Sequence, residues 1–115
     1  MARIEKSIEI RAEPSTIWEL LFWDRLPEWM DMIQTGKYTS PEKDMVSATA
    51  HVVSRVAGIT AEWDLEITEY DEWSKAAWRT TGGDLTAIGL TTLTPTNAGT
   101  RLTLMMDYEL PYSVL

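Results

Sequence analysis

The sequence has no cysteine, one histidine and one phenylalanine among its 115 residues. The absence of cysteine excludes disulfide bonds, thiolate metal sites and cysteine nucleophiles. The single histidine, His51, excludes any site that needs two imidazole groups. No apolar run approaches the roughly 20 residues of a membrane-spanning helix, so we expect no integral membrane segment. No basic leader with an apolar stretch opens the chain, and we therefore expect a cytoplasmic protein.

Positive charge is also scarce. The chain has 10 Lys and Arg residues against 18 Asp and Glu residues, which gives a net charge of −8. Charge of this sign repels phosphate backbones and anionic lipid, so nucleic acid is not an expected partner. Hydrophobic residues make up 44% of the chain and charged residues 24%, a balance typical of a globular domain. We expect residues 1–115 to form a single domain with one core.

The first part of the chain predicts a strand followed by helical segments. Residues 3–10 predict a strand from the alternation of Ile4, Ser7, Ile8 and Ile10, with one shift of phase along it. Pro14 then opens a helix, because proline suits the first helical position and apolar residues recur after it at helical spacing. Thr16 and Glu19 offer a capping box as an alternative, slightly later start. A second short helical turn is predicted over residues 26–30.

The remainder predicts strands joined by short turns. A weak strand surrounds Gly36, and a turn over residues 40–44 follows it. The next run places Val46, Ala48, Ala50 and Val52 on one face. After Gly58 the alternation places five apolar side chains on one face, namely Ile59, Ala61, Trp63, Leu65 and Ile67. Further turns are predicted at residues 70–72 and 82–84. About six successive strands with short connections indicate an antiparallel meander.

The last predicted strand is strongly patterned. Pro95, Asn97 and Gly99 mark a turn, and strict alternation follows. Its apolar face consists of Leu102, Leu104, Met106, Tyr108 and Leu110. A face this large needs something to pack against, and the short early helices are too small to cover the whole sheet. The partner of this face is not evident in the chain.

Residues that would support catalysis are few. Glu62, Asp64 and Glu66 share one side of a strand and could bind a cation or act as acid and base, but they lie opposite Trp63 and Leu65, so we interpret them as a solvated acidic face. His51 is also expected on the solvent side, with a general base in a cavity as the alternative. We therefore predict no metal site and no cofactor, and the catalytic residues, if any, are unknown.

Other motifs have simple structural interpretations. The segment 82–84 is a hairpin turn rather than a phosphate loop, because no helix and no Lys-Ser/Thr pair follow it. No Gly-x-Ser-x-Gly segment is present. Arg79 and Arg101 are expected on the solvent face. Six tryptophans are unusual in so short a chain; they either fill a core that has one Phe or line a cavity.

Several short segments, taken in order, resemble one protein family. They are SIEI (7–10), AEP (12–14), IWELL (17–21), LPEWM (26–30), WDLEITEY (63–70), AWR (77–79), LTP (93–95) and GTRLT (99–103). The chain resembles the polyketide cyclase/dehydrase and lipid-transport proteins of the START-like (Bet v 1-like, or SRPBCC) superfamily. The resemblance implies an α+β helix-grip fold, in which a curved antiparallel sheet of about seven strands, with two short helices after the first strand, grips a long C-terminal helix around a hydrophobic cavity.

That helix is expected to begin just after Leu110 and Pro111, near the point where the sequence stops. Residues 112–115 would be its first residues. If residues beyond 115 exist, they should form an amphipathic helix; if not, another chain should cover the sheet. For the sequence as it stands we expect association into a homodimer or a higher oligomer.

The resemblance implies binding or transport of a small hydrophobic molecule such as a lipid or a polyketide. The predicted cavity lining is Trp29, Tyr38, Trp63, Leu65, Trp78, Leu104, Met106 and Tyr108, with core packing as the alternative for each. A cyclase or dehydratase enzyme is the second hypothesis, for which Tyr108 or His51 would have to supply the acid or base. A protein-interaction or assembly-factor module is the third.

Overall fold

The computed structural model describes residues 2–109, which form one sheet and a short helical layer. The strands are β1 (Ala2–Ile10), β2 (Ile33–Tyr38), β3 (Thr49–Val56), β4 (Ile59–Asp71), β5 (Lys75–Gly83), β6 (Thr86–Thr96) and β7 (Gly99–Glu109). A helix, α1 (Pro14–Leu20), and a 3₁₀ turn (Leu26–Glu28) lie between β1 and β2. The order across the sheet is β1-β7-β6-β5-β4-β3-β2, and the predicted meander after the helical segments is confirmed.

The helix α1 begins at Pro14, as predicted. Glu13 is the N-cap residue and makes no side-chain capping hydrogen bond. The alternative start at a Thr16–Glu19 capping box is therefore wrong, because Thr16 lies inside the helix. No helix within residues 2–109 combines the length and the apolar character needed to cross a membrane.

All neighbouring strands are antiparallel, and the sheet curls into a half-barrel. The register shifts between Asp64 and Leu65 and between Ile67 and Glu69, where β4 pairs with β5. Another shift lies between Ile33 and Thr35 on β2. Such irregularities bend a strand and increase its twist. We call the inner side of the curl, on which the helical segments pack, the concave face, and the outer side the convex face.

The core lies between the helical segments and the concave face, in two clusters. The first contains the buried residues Leu26, Ile33, Ala48, Ala50, Val52, Trp63, Leu65 and Ile67. The second contains Ile17, Trp18, Leu93 and Leu102. The predicted inward positions of β3 and β4 are thus confirmed for most residues, because alternation in a strand sends one set of side chains to one face.

Two residues predicted to share the buried faces are exposed. Val46 is 48% exposed and Ile59 is 67% exposed. Val46 precedes β3, and Ser47, with φ 77°, interrupts the alternation between it and the strand. Ile59 is the first residue of β4, opposite Val56 at the tip of a hairpin, where the helical layer does not reach. The predicted place of Val46 on the face of β3 is therefore wrong, whereas Ile59 keeps its predicted place in the alternation of β4 and is exposed there.

The convex face carries ion pairs between neighbouring strands. Arg3 Nε donates to Asp107 Oδ1 at 2.7 Å, and the pair lowers the pKa of Asp107. Arg79 pairs with Glu66 at 3.0 Å, and Arg101 pairs with Glu9 at 3.3 Å. The strand register places Arg79 and Arg101 on the solvent face, as the alternation predicts.

The closing strand β7 places every second residue, from Leu102 to Tyr108, on the concave face. Leu102 is buried, and Leu104, Met106 and Tyr108 are half-buried. Leu110 and the predicted helix start at residues 111–115 lie outside the described residues.

Candidate functional site

The concave face is built by cross-strand pairs of small, apolar and aromatic residues. Leu65 on β4 faces Ala50 on β3, and Trp63 faces Val52. Across β5, β6 and β7 the same face continues from Trp78 through Gly89 to Met106. Residues directly opposite one another in a ladder project to the same face, so these side chains form one continuous surface.

Three tryptophans meet on this surface, and we call them the tryptophan cluster: Trp23, Trp63 and Trp78. The rings of Trp63 and Trp78 are stacked, with centroids 5.5 Å apart and an angle of 24° between the planes. Trp23 meets both edge-on, with centroids at 5.8 Å from Trp63 and 5.3 Å from Trp78. Stacked and edge-to-face geometries are the favoured arrangements of aromatic pairs.

Trp23 reaches the cluster from the segment between α1 and the 3₁₀ turn, and two contacts with β2 fix its backbone. Its amide N–H donates to the Tyr38 hydroxyl at 3.0 Å. Its carbonyl oxygen lies against Gly36, where a Cβ would be only 2.0 Å away. Only glycine fits at this close approach. Burial raises the pKa of Tyr38, so its hydroxyl stays protonated and can also donate.

The indole nitrogens differ in their partners. Trp63 Nε1 donates to Ser54 Oγ at 3.1 Å, and Trp18 Nε1 donates to the Tyr70 hydroxyl at 2.8 Å. Within residues 2–109, the indole nitrogens of Trp23 and Trp78 have no hydrogen-bond partner. These two groups are therefore available to a polar atom of a bound molecule.

Trp78 also borders a part of the concave face that is less covered. Its indole lies over Gly89 on β6, next to Met106 on β7. Beyond it lies a half-exposed apolar strip on β1 and β7, which we call the open strip: Ile4, Ile8, Leu104, Met106 and Tyr108. Ile4 is 43% exposed and Ile8 is 59% exposed. The 3₁₀ turn packs against β2, and α1 packs against Leu93 of β6 and Leu102 of β7, with Leu104 beside that contact. Within residues 2–109, Ile4 and Ile8 are therefore the most exposed residues of the open strip.

The structure brings most of the predicted lining residues onto the concave face. Tyr38, Trp63, Leu65 and Trp78 lie together under the helical layer, with Leu65 fully buried. Leu104, Met106 and Tyr108 lie in the open strip. Trp29 is exposed, and its Nε1 donates to the Leu20 carbonyl at 2.8 Å, which holds it near the end of α1.

Sequence reasoning missed Trp23 as a site residue. It lies outside any strand, after the end of α1, so no alternation pattern marked it. Its position depends on the close approach at Gly36, which is 13 residues further along the sequence. A glycine within the weak β2 strand was the only available signal.

His51 and the acidic residues lie on the convex face, away from the tryptophan cluster. His51 Nδ1 is 2.8 Å from Asp64 Oδ1, and His51 Nε2 is 3.2 Å from Glu62 Oε1. The hydrogen bond to Asp64 is the largest cause of a raised pKa for His51, and the hydrogen bond to Glu62 raises that pKa further. Among residues 2–109, no group of three or more His, Asp or Glu side chains is arranged to hold a metal ion. This cluster acts as a cross-strand bridge.

The sequence matches the family described as polyketide cyclase/dehydrase and lipid transport over residues 1–114. The chain belongs to this family. An uncharacterized 17.2 kDa protein from Streptomyces lincolnensis is 26% identical over 111 residues, covering 95% of this chain and 70% of that protein.

Solved structures with low sequence identity share the fold. The TTHA0849 protein from Thermus thermophilus superimposes with a TM-score of 0.85 at 20% identity, covering 98% of this chain and 77% of that one. A START superfamily protein from Mycobacterium smegmatis gives 0.83 at 16% identity, with coverages of 98% and 80%. The ginseng major latex-like protein 151 from Panax ginseng gives 0.77 at 16% identity, with coverages of 96% and 80%. The chain has the helix-grip fold of the START-like superfamily.

Proposed function

We propose that the concave face binds a small hydrophobic molecule, such as a lipid or a polyketide, without chemical turnover. The observation that carries this proposal is the junction of the tryptophan cluster with the open strip. Trp78 provides an aromatic wall, and Met106 and Tyr108 continue it as apolar surface that water still reaches. A concave apolar surface with a few polar points is the usual form of a small-molecule site.

Few polar groups lie near this apolar surface. The indole nitrogens of Trp23 and Trp78 and the hydroxyls of Tyr38 and Tyr108 are the polar groups nearest this surface that we assign to orienting a ligand. The family description, which includes lipid transport, supports the same class of ligand. We place Trp29 at the margin of the ligand site. The other residues predicted to line the cavity are retained as ligand contacts: Tyr38, Trp63, Leu65, Trp78, Leu104, Met106 and Tyr108.

Native mass spectrometry of the protein purified from cells tests the proposal. We expect a co-purifying apolar molecule, or saturable binding of members of a panel of lipids and aromatic polyketides monitored by tryptophan fluorescence. Trp78→Ala should weaken binding, because it removes the wall between the cluster and the open strip. Trp73→Ala is the matched control, because Trp73 is exposed in the turn between β4 and β5. A protein with no bound mass and no response to the panel would refute the proposal.

A cyclase or dehydratase reaction is the second candidate, because the family description names both activities. The one observation in its favour is Tyr108, whose hydroxyl-bearing side chain lies in the open strip. Tyr108→Phe removes this acid and keeps the ring. Unchanged turnover of a linear polyketide by this variant would exclude Tyr108 as the catalytic acid.

The protein-interaction hypothesis also stays a prediction. The open strip and the exposed Met32, Met45 and Trp73 are apolar surface that a second chain could cover. Sedimentation velocity over a range of concentrations checks it, and we expect a concentration-dependent dimer or larger species. A monomer at all concentrations would contradict that expectation.

A further inference from the structure

Among the strand residues of the described part of the chain, 2–109, Lys6 is the one charged residue on the concave face. The register of the strands places on this face only apolar, aromatic, Gly, Ser and Thr residues, apart from Lys6 on β1. Lys6 lies opposite Leu104, with Ile4 and Ile8 on either side of it along β1. One cation therefore sits within the open strip.

Lys6 differs from the other cations of the strands in its face, and it shares the lack of an ion pair with Lys37 and Arg55 alone among the strand cations of residues 2–109. On the convex face Arg3, Lys75, Arg79 and Arg101 each pair with a carboxylate of a neighbouring residue or strand. No ion pair of Lys6 occurs in the part of the chain that the structure describes, residues 2–109. In a protein with a net charge of −8, a lysine without a carboxylate partner on an apolar face is notable.

We propose that Lys6 binds the anionic head group of the ligand, so that the ligand is an amphiphile with a carboxylate or a similar single anion at one end. This inference rests on the proposed function of the concave face. In the proposed complex, the aliphatic stem of Lys6 lies on the face that it shares with Ile4, Ile8 and Leu104, and its ammonium group meets the anion. An ion pair beside apolar surface is stronger than one in bulk water, because the effective dielectric constant is lower.

The geometry also sets the direction of the ligand. From β1 the concave face runs through β7 and β6 to Trp78 on β5, a path of three interstrand spacings or roughly 14 Å. An acyl chain or ring system whose head group is at Lys6 would cross Leu104 and Met106 and end against the Trp78 indole. The charge and the apolar wall thus lie at opposite ends of one surface.

A lysine on an edge strand can also serve only to prevent pairing with another sheet. β1 is an edge strand, so the experiment must separate the two roles. We would measure the affinities of dodecanoate and dodecanol, which differ in the head group, for the unaltered protein, for Lys6→Met and for Lys37→Met. Lys37 is the matched control, because it lies on the other edge strand, β2, on the convex face.

We expect the unaltered protein to prefer dodecanoate by about tenfold, a ratio that corresponds to about 1.4 kcal/mol. The preference should fall with added salt, since an accessible ion pair is screened. Lys6→Met should lose the preference and still bind dodecanol, whereas Lys37→Met and Lys6→Arg should keep it. Circular dichroism checks that each variant is folded.

Equal affinity for both amphiphiles in all proteins would overturn the role of Lys6 and leave the proposed function standing. An unchanged preference in Lys6→Met, together with increased self-association, would assign the lysine to edge protection instead. Failure of the unaltered protein to bind either amphiphile, or anything in the wider panel, would refute the proposed function and this inference together.

Discussion

The Trp78 indole lies directly over Gly89, so closely that a Cβ at position 89 would be 2.2 Å from the ring atom Cε2. Trp78 and Gly89 are cross-strand partners on β5 and β6. Because Gly89 has no side chain, the Trp78 ring has room to lie against the sheet at this position. The tryptophan cluster and the open strip therefore meet at a position that only glycine allows.

Gly89→Ala should displace the Trp78 ring and destabilise the protein by about 1–3 kcal/mol, the usual cost of overpacking. Urea unfolding followed by tryptophan fluorescence measures both effects. Gly82→Ala is the control, because its Cβ would meet nothing closer than Asp64 Oδ2 at 3.9 Å. Equal stability of the two variants would show that Trp78 has another position of similar energy.

Trp23→Ala should lower the free energy of unfolding by roughly 3 kcal/mol, because it removes two edge-to-face contacts and leaves a cavity beside Trp63 and Trp78. Chemical denaturation gives the value. The exposed Trp73 is the matched control, and Trp73→Ala should change stability by no more than about 0.5 kcal/mol. A loss of similar size in both variants would contradict the assigned role of Trp23.

Thr100→Val should cost about 1–3 kcal/mol, since Thr100 is fully buried and its hydroxyl donates to the Ala12 carbonyl at 2.7 Å. The substitution keeps the shape and leaves that carbonyl without its donor. Thr94 is exposed on β6, so Thr94→Val should be close to neutral. Thermal unfolding of the two variants, side by side, decides whether the bond joins β7 to the segment before α1 as described.

His51 should make the stability depend on pH. Its pKa is raised above 6.5 in the folded state by Asp64 and Glu62, so its contribution is full below about pH 6.5 and is lost as the pH rises through the folded-state pKa. The group is partly exposed, and we expect an effect of at most about 1 kcal/mol. Urea unfolding between about pH 5.5 and about pH 9 measures it.

His51→Gln is the variant for this measurement, because glutamine keeps polar contacts and does not titrate in this range. Its stability should lack the decline that the unaltered protein shows over the same interval. Identical pH profiles for the two proteins would mean that the contacts of His51 with the two carboxylates do not persist in solution.

Alternation predicted the strands well because the two faces of this sheet differ in polarity. The convex positions of His51, Glu62 and Asp64 and the buried positions of Trp63 and Leu65 follow from a two-residue period alone. The same rule failed at Val46, which lies outside β3, and it gave no sign that Ile59 is exposed. The residue next to Val46 has a positive φ, and Ile59 lies at the tip of a hairpin. The alternation pattern shows neither feature, although these features decide how exposed the two side chains are.

The site could be predicted only in part. The concave positions of Trp78, Met106 and Tyr108 follow from their places in β5 and β7. The sequence did not reveal Trp23, because its position depends on a contact with Gly36 across the fold. Lys6 was also missed, since a single lysine in a strand gives no sign that its neighbours across the sheet are all uncharged.

By itself, then, the sequence determined the order of the elements, the polarity of each strand face and the family. These properties are local, because each is set by the spacing of residues along a few turns or strands. Only the tertiary structure decided that Trp23, Trp63 and Trp78 meet, that Gly89 makes room for a ring and that Lys6 stands alone on an apolar face. Those relationships join residues far apart in the chain, and they arise from strand register and the curl of the sheet.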